Sequence, residues 1–304
     1  MPLDEGYCQG LGTHASWLVN RPRNIEMIDV AAFVLLATTL ATADDAPVIA
    51  PATKNQHGFL VHEVESPFQE GKTQIRVLLP DLLEPNRKYP AIYVLPVEAR
   101  SEARYGDGLL EIKKHALQNK HAAIFVAPTF SHLPWYADHL TESTIRQETY
   151  FLNVVMPLVE KTYSVQARPD GRLLLGFSKS GWGAWSLLLR HPDVFGRAAA
   201  WDAPLMMDRL GKYGASAIFG TDANFAQYRI SDLLRAQRDL LGPTPRLILT
   251  GYSNFRPEHE RTHSLLDELK IPHAYRDGPR RKHEWHSGWV PEAVELLLGS
   301  AENP

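Results

Sequence analysis

The sequence predicts an α/β domain built on a single doubly wound, mostly parallel sheet of about eight strands, with helices on both faces. Three observations carry that prediction. Short β-rich runs alternate with longer helical patterns along the chain. The middle runs are continuously apolar, as strands covered on both faces have to be. The residues with chemical potential fall just beyond the carboxyl ends of such runs, where parallel sheets carry their ligands.

Taken in order, the strands are FLVHEV (59–64), QIRVLL (74–79), AIYVL (91–95), AAIFVA (122–127), RLLLG (172–176), RAAAW (197–201), RLILTG (246–251) and HAYRD (273–277), the first of them expected to pair antiparallel. Residues 144–162 place Ile145, Leu152, Val155, Met156 and Val159 at helical spacing, and 257–270 do the same with Leu265, Leu266 and Leu269. A helix of small residues, 180–190, follows RLLLG at once, and 291–298 supplies the last helix. The sequence contains no repeat or low-complexity block, so 58–304 reads as one domain.

Composition narrows the function classes. With 44% apolar and 22% charged residues over 304 positions, the chain is an ordinary globular one with enough residues for a full core. A net charge of −3 gives no electrostatic reason to expect a nucleic-acid partner. The thirteen histidines are scattered without metal-ligand spacing such as HExxH, so neither a metal nor another cofactor is expected.

Near the start, Arg21 and Arg23 precede the apolar run VAAFVLLATTLA (30–41), then Ala41-Thr42-Ala43 and two aspartates. Positive flank, short apolar core and A-x-A site describe a secretory signal peptide over 1–43, with no stable membrane insertion after cleavage and a secreted or periplasmic destination. The run is short against the roughly 20 residues of a spanning helix. Residues 44–57, rich in Pro and Ala, read as a flexible leader. The only cysteine, Cys8, would leave with the signal, which excludes a cysteine nucleophile in the mature chain.

The stretch RLLLGFSKSGWGAW (172–185) poses the chemical question. A strand stops at Gly176, Ser178 follows, and a helix starts near Ser180, which is the strand–turn–helix context of a G-x-S-x-G nucleophile elbow with serine at the last position. The competing reading of Ser178 is a helix cap. At a helix N-terminus the backbone N–H of Lys179 can point at a developing oxyanion. A serine nucleophile needs a base, and RRKHEWHSGW (280–289), beyond the last strand, offers His283 and His286 where the chain order Ser…acid…His puts the histidine.

These motifs resemble the esterase branch of the α/β hydrolases that includes esterase D, feruloyl esterases and mycolyltransferases. The likeness runs from about residue 70 to 298 and rests on VLPVE (94–98), PWYAD (134–138), GFSKSGWGA (176–184), RHPDVF (190–195) and KHEWHSGW (282–289). It implies an α/β-hydrolase fold, and its H-x-W block matches His283-Glu284-Trp285, which ranks His283 above His286 as the base. The second oxyanion donor carried over is the backbone N–H of Val97 or Glu98, because Pro96 has none to give.

The acid departs from the family pattern. Its usual place, after the seventh strand, falls close to Asn254, which cannot carry the charge that stabilises an imidazolium. Asp202, at the end of the preceding strand in AAAWDAPL (198–205), is the leading candidate, with Glu258 one helical turn beyond Asn254 as the alternative. Trp135, Tyr136 and Trp182 are read as substrate-binding aromatics around the elbow. The resemblance implies an exported serine esterase acting through an acyl-enzyme on Ser178, on small-molecule or carbohydrate esters such as sugar-acyl or aromatic-acid esters. A binding module on a degenerate hydrolase fold, a peptidase and an acyltransferase are the other readings.

Overall fold

The computed structural model describes residues 46–299. The signal-like segment 1–43 lies outside them. In chain order the strands are β1 (Val48–Ile49), β2 (Thr53–Lys54), β3 (Leu60–Glu65), β4 (Lys72–Leu78), β5 (Ala91–Val94), β6 (Ile124–Pro128), β7 (Arg172–Phe177), β8 (Arg197–Trp201), β9 (Leu247–Tyr252) and β10 (His273–Arg280). They make one sheet in the order β1-β3-β4-β6-β5-β7-β8-β9-β10, with β2 also laid on β3. Pairs from β1 to β6 through β3 and β4 are antiparallel. From β6 to β10 every pair is parallel.

All eight expected strands are present. The two additional ones correct the reading of 44–57 as a flexible leader. From Val48 onward this segment pairs antiparallel with β3, and Ala50 both donates to the Glu63 carbonyl at 2.9 Å and accepts from His62 Nδ1 at 3.1 Å. An uncovered β3 would present a row of unpaired backbone groups, and these short strands satisfy part of it.

The sheet is buried on both faces because side chains alternate along each strand. Ala91 and Tyr93 of β5 enter one apolar cluster, Ile92 and Val94 the other. Helix Ser178–Arg190 covers the first cluster with Trp182, Trp185 and three leucines. Helices Gly108–Lys114 and Val290–Leu298 cover the second with Leu109, Ile112, Val294 and Leu297.

The helix expected over 144–162 starts later, at Gln147, because Ile145 is drawn into an isolated bridge with Gln69. It runs as Gln147–Tyr150, a wide π turn Phe151–Val155, and Met156–Thr162. The wide turn ends just before Pro157, whose ring nitrogen cannot donate to the carbonyl four residues back. Among the described residues no helix is long and apolar enough to cross a membrane.

Candidate active site

The carboxyl ends of β7, β8, β9 and β10 converge on one spot. β7 ends at Phe177, and Ser178 follows with φ 51°, in the left-handed region that a residue with a Cβ avoids. Strain of this kind costs on the order of 1–3 kcal/mol and persists only where the surroundings enforce it. Here close packing enforces it. A Cβ on Gly176 would lie 2.3 Å from the Ser180 carbonyl oxygen, and one on Gly181 would press Ala203 and Ala200 at 3.0 and 3.1 Å. Ser180, standing where the motif has glycine, has its own part in the turn. Its hydroxyl donates to the Phe177 carbonyl at 2.9 Å and accepts from the Phe177 N–H at 3.1 Å.

His283 arrives on the loop after β10. Its Nδ1–H donates to Asp202 Oδ2 at 2.5 Å, which leaves Nε2 as the free ring nitrogen. Three aromatic rings hold the imidazole: Phe177 at 5.1 Å, Tyr105 at 5.3 Å and Phe255 at 5.9 Å between centroids. Phe177 is the residue before Ser178, so the imidazole stands against the elbow itself. Among the described residues Ser178 Oγ makes no hydrogen bond.

Asp202 follows β8, also with positive φ (40°), and is 1% exposed. Its Oδ1 accepts the backbone N–H groups of Asn254 and Phe255, both at 2.8 Å. Burial pushes its carboxyl up, but the bonds from His283 and from the 253–255 turn outweigh burial and hold it below the usual carboxylate range. The turn that follows β9 therefore supplies two N–H donors to an acid carried by β8. Glu258 is turned elsewhere: Oε2 accepts the Met206 N–H at 2.7 Å and Oε1 pairs with Arg261 at 3.0 Å.

A residue the sequence reading missed completes the acid's support. His259 is 2% exposed, and its Nε2 accepts the Ala203 N–H at 3.0 Å, fixing the residue next to Asp202. Burial pushes its pKa down to about 4, against an ordinary 6.5, so the ring is neutral. Its place on helix Arg256–Glu268 looked like simple helix surface, and no motif singled it out.

Beyond its end, β5 runs into Pro96 and then Val97, 2% exposed. The Lys179 N–H lies in the first turn of its helix, where backbone donors have no carbonyl one turn earlier to bond. The Lys179 ammonium has its pKa lowered by burial, opposed by the nearby Glu98 carboxylate. Glu98 is itself engaged, accepting the Tyr105 N–H at 3.1 Å.

The three aromatics expected to bind substrate do not line an open cleft. Trp135, Tyr136 and Trp182 are each 0% exposed. Trp135 and Trp182 pack edge to face at 5.3 Å and continue into Phe219 and Phe225, a core beneath the 203–228 segment. Burial of so much aromatic surface favours the interior unless a ligand covers it better, and here protein covers it. Tyr136 holds the site from behind. Its hydroxyl donates to the Pro96 carbonyl at 2.7 Å, and its ring lies where a Cβ on Gly183 would stand, 2.1 Å from Tyr136 Cδ2. Tyr213 is half exposed and lies edge-on to Phe255 at 5.7 Å.

The other histidine of the loop, His286, bonds through Nδ1 to Glu111 Oε2 at 2.7 Å. Glu111, 1% exposed, also accepts His115 Nε2 at 3.0 Å and Lys114 at 3.2 Å. It ties the loop to helix Gly108–Lys114.

Known proteins share the sequence pattern and the fold of this chain. A profile of the family described as Putative esterase matches residues 66–239. Esterase Rv1288 of Mycobacterium tuberculosis is 26% identical over 138 residues, 44% of this chain, and the match spans only 30% of that relative's length. Two solved structures share the fold: a ferulic acid esterase (19% identity, TM-score 0.60, 84% of this chain and 96% of that one) and an S-formylglutathione hydrolase from Agrobacterium tumefaciens (13% identity, TM-score 0.65, 83% and 98%).

Proposed function

Because this chain belongs to the Putative esterase family, we propose that it is a serine esterase that hydrolyses carboxylic esters through an acyl-enzyme on Ser178. The observation that carries this reading is the His283–Asp202 pair, 2.5 Å apart and seated against a strained elbow serine. In the proposed reaction Ser178 Oγ attacks the acyl carbon while its proton passes to His283 Nε2. The negative charge that develops on the carbonyl oxygen collects the N–H groups of Lys179 and Val97. Collapse expels the alcohol, which takes the proton from His283. Water then attacks the acyl-enzyme by the same relay, and the carboxylic acid leaves. Asp202 stays ionised throughout, holding the Nδ1–H tautomer and stabilising the imidazolium.

The half-exposed Tyr213 against Phe255, which itself packs on His283, favours an acyl or alcohol group with an aromatic or sugar face. The fold shared with a ferulic acid esterase supports the same substrate class. We also carry forward export, supported by the leader-like sequence of 1–43. Finding the native chain uncleaved in the cytosol would remove that part.

Fluorophosphonate labelling followed by peptide mass spectrometry tests the chemistry without knowledge of the substrate. The reading expects one adduct, on Ser178, that disappears in Ser178→Ala, together with turnover of p-nitrophenyl acetate. A folded chain that takes no adduct and turns over no ester would instead be a ligand-binding member of the family. Peptide cleavage without ester cleavage would make it a peptidase.

A further inference from the structure

Two histidines and an aspartate meet at the far end of the sheet from Ser178. His263 and Asp267 stand one turn apart on helix Arg256–Glu268 and share a face. His273 opens β10, the strand whose other end leads to His283. The ligating atoms of the three lie within 4.8 Å of one another. His273 Nδ1 bonds to the Ile271 carbonyl at 2.8 Å, so Nδ1 carries the proton and Nε2 carries a lone pair. That lone pair accepts from His263 Nδ1 at 2.8 Å. Asp267 completes the group, with Oδ1 4.0 Å from His273 Nε2 and Oδ2 3.6 Å from His263 Nε2. The His263 ring is held flat on Tyr275, centroids 4.1 Å apart.

We propose that His263, Asp267 and His273 form a binding site for a divalent transition metal of the zinc class, remote from the ester chemistry and independent of it. Two neutral imidazoles with one carboxylate are the borderline donor set that zinc, nickel and copper share, whereas calcium and magnesium require oxygen ligands. Zn–N bonds of about 2.0–2.1 Å put two nitrogens of a tetrahedral site about 3.3 Å apart, so the rings need only part by roughly half an ångström. His263 moves its proton from Nδ1 to Nε2 as the metal takes Nδ1 and remains neutral, while Asp267 turns a carboxylate oxygen from the His263 ring to the metal. The carbonyl behind His273 already fixes the tautomer a metal-bound imidazole needs. Solvent reaches the fourth position from an adjoining cavity of about 600 Å³, where the nearby Arg276 is engaged by Glu292. The scattered-histidine reading missed this set because one ligand comes from a strand and two from a helix.

Zinc titration calorimetry and cobalt(II) absorption on the full chain, without a histidine tag and stripped by chelator, decide the matter. The expected results are one equivalent of zinc bound, visible d–d bands of tetrahedral cobalt, and a Tm raised by roughly 5–10 °C at a hundredfold excess over Kd. His263→Ala and Asp267→Asn, both on the helix surface, should each weaken binding at least tenfold while ester turnover stays unchanged. Absence of zinc binding, or equal affinity in both variants, overturns the proposal.

Discussion

His283 and His286 share one loop, and each bonds through Nδ1 to a carboxylate that is 1% exposed, at 2.5 and 2.7 Å. As isolated pairs they are nearly the same. Their surroundings separate them. His283 is 17% exposed, ringed by Phe177, Tyr105 and Phe255, and its carboxylate is otherwise bonded only by backbone N–H groups. His286 is 40% exposed, pressed against Gly106, and shares Glu111 with His115 and Lys114. A carboxylate with three side-chain donors is an anchor. One left to a single imidazole can follow that ring's charge during a reaction. A His–carboxylate pair thus acquires its role from where the free nitrogen points and from what else the carboxylate serves.

The comparison breaks most sharply at the acid. Asp202→Asn should lower kcat by about 10⁴, as expected when the wrong tautomer is held, and Ser178→Ala by on the order of 10⁶. Steady-state hydrolysis of an activated ester measures both. Near-normal turnover in Asp202→Asn would hand the role to the other pair.

Next in size is an acid-side loss of stability at the Asp202 turn. His259 titrates at about 4 when folded and near 6.5 when unfolded, so the unfolded chain binds the extra proton first. Its contribution is complete above pH 6.5 and is lost as pH falls toward 4, a decline of roughly 3 kcal/mol. Urea unfolding across that window should show it, and His259→Gln should flatten the slope.

Smaller again is Tyr136→Phe, which removes the bond to the Pro96 carbonyl behind the oxyanion turn. A fall of about tenfold in kcat with KM unchanged is expected, since the loss bears on a charge present only in the transition state. A rise in KM alone would return Tyr136 to substrate binding.

Least is expected of Glu111→Gln. Turnover should drop less than about tenfold while Tm falls by several degrees, the signature of a tether. A kcat loss matching that of Asp202→Asn would erase the distinction between the two histidines.

How much of this was legible in the sequence depended on the range of the interactions. Continuous apolar runs name the strands because burial on both faces is written residue by residue. The elbow is equally local, since Gly176, Ser178 and Gly181 are neighbours in the chain. Asp202 was reachable because a charged residue closing an apolar strand demands a partner. His259 and the Glu111 cluster were not, because their partners lie on other elements and no spacing announces them. The tryptophans show the opposite failure. Trp135 and Trp182 stand beside the right motifs, but the sequence does not record the 203–228 segment folding over them.

The placement of the acid on β8 has a dynamic consequence. Ser178 and Asp202 each follow directly on one of two adjacent strands, locked by the β7–β8 ladder in the interior of the sheet. His283 alone hangs from β10, which has a single neighbour. Interior ladders open only with global unfolding, whereas edge elements fluctuate at far lower cost. In the proposed mechanism the member of the three carried by an edge strand is therefore the proton carrier. Hydrogen exchange across β10 would report on its motion.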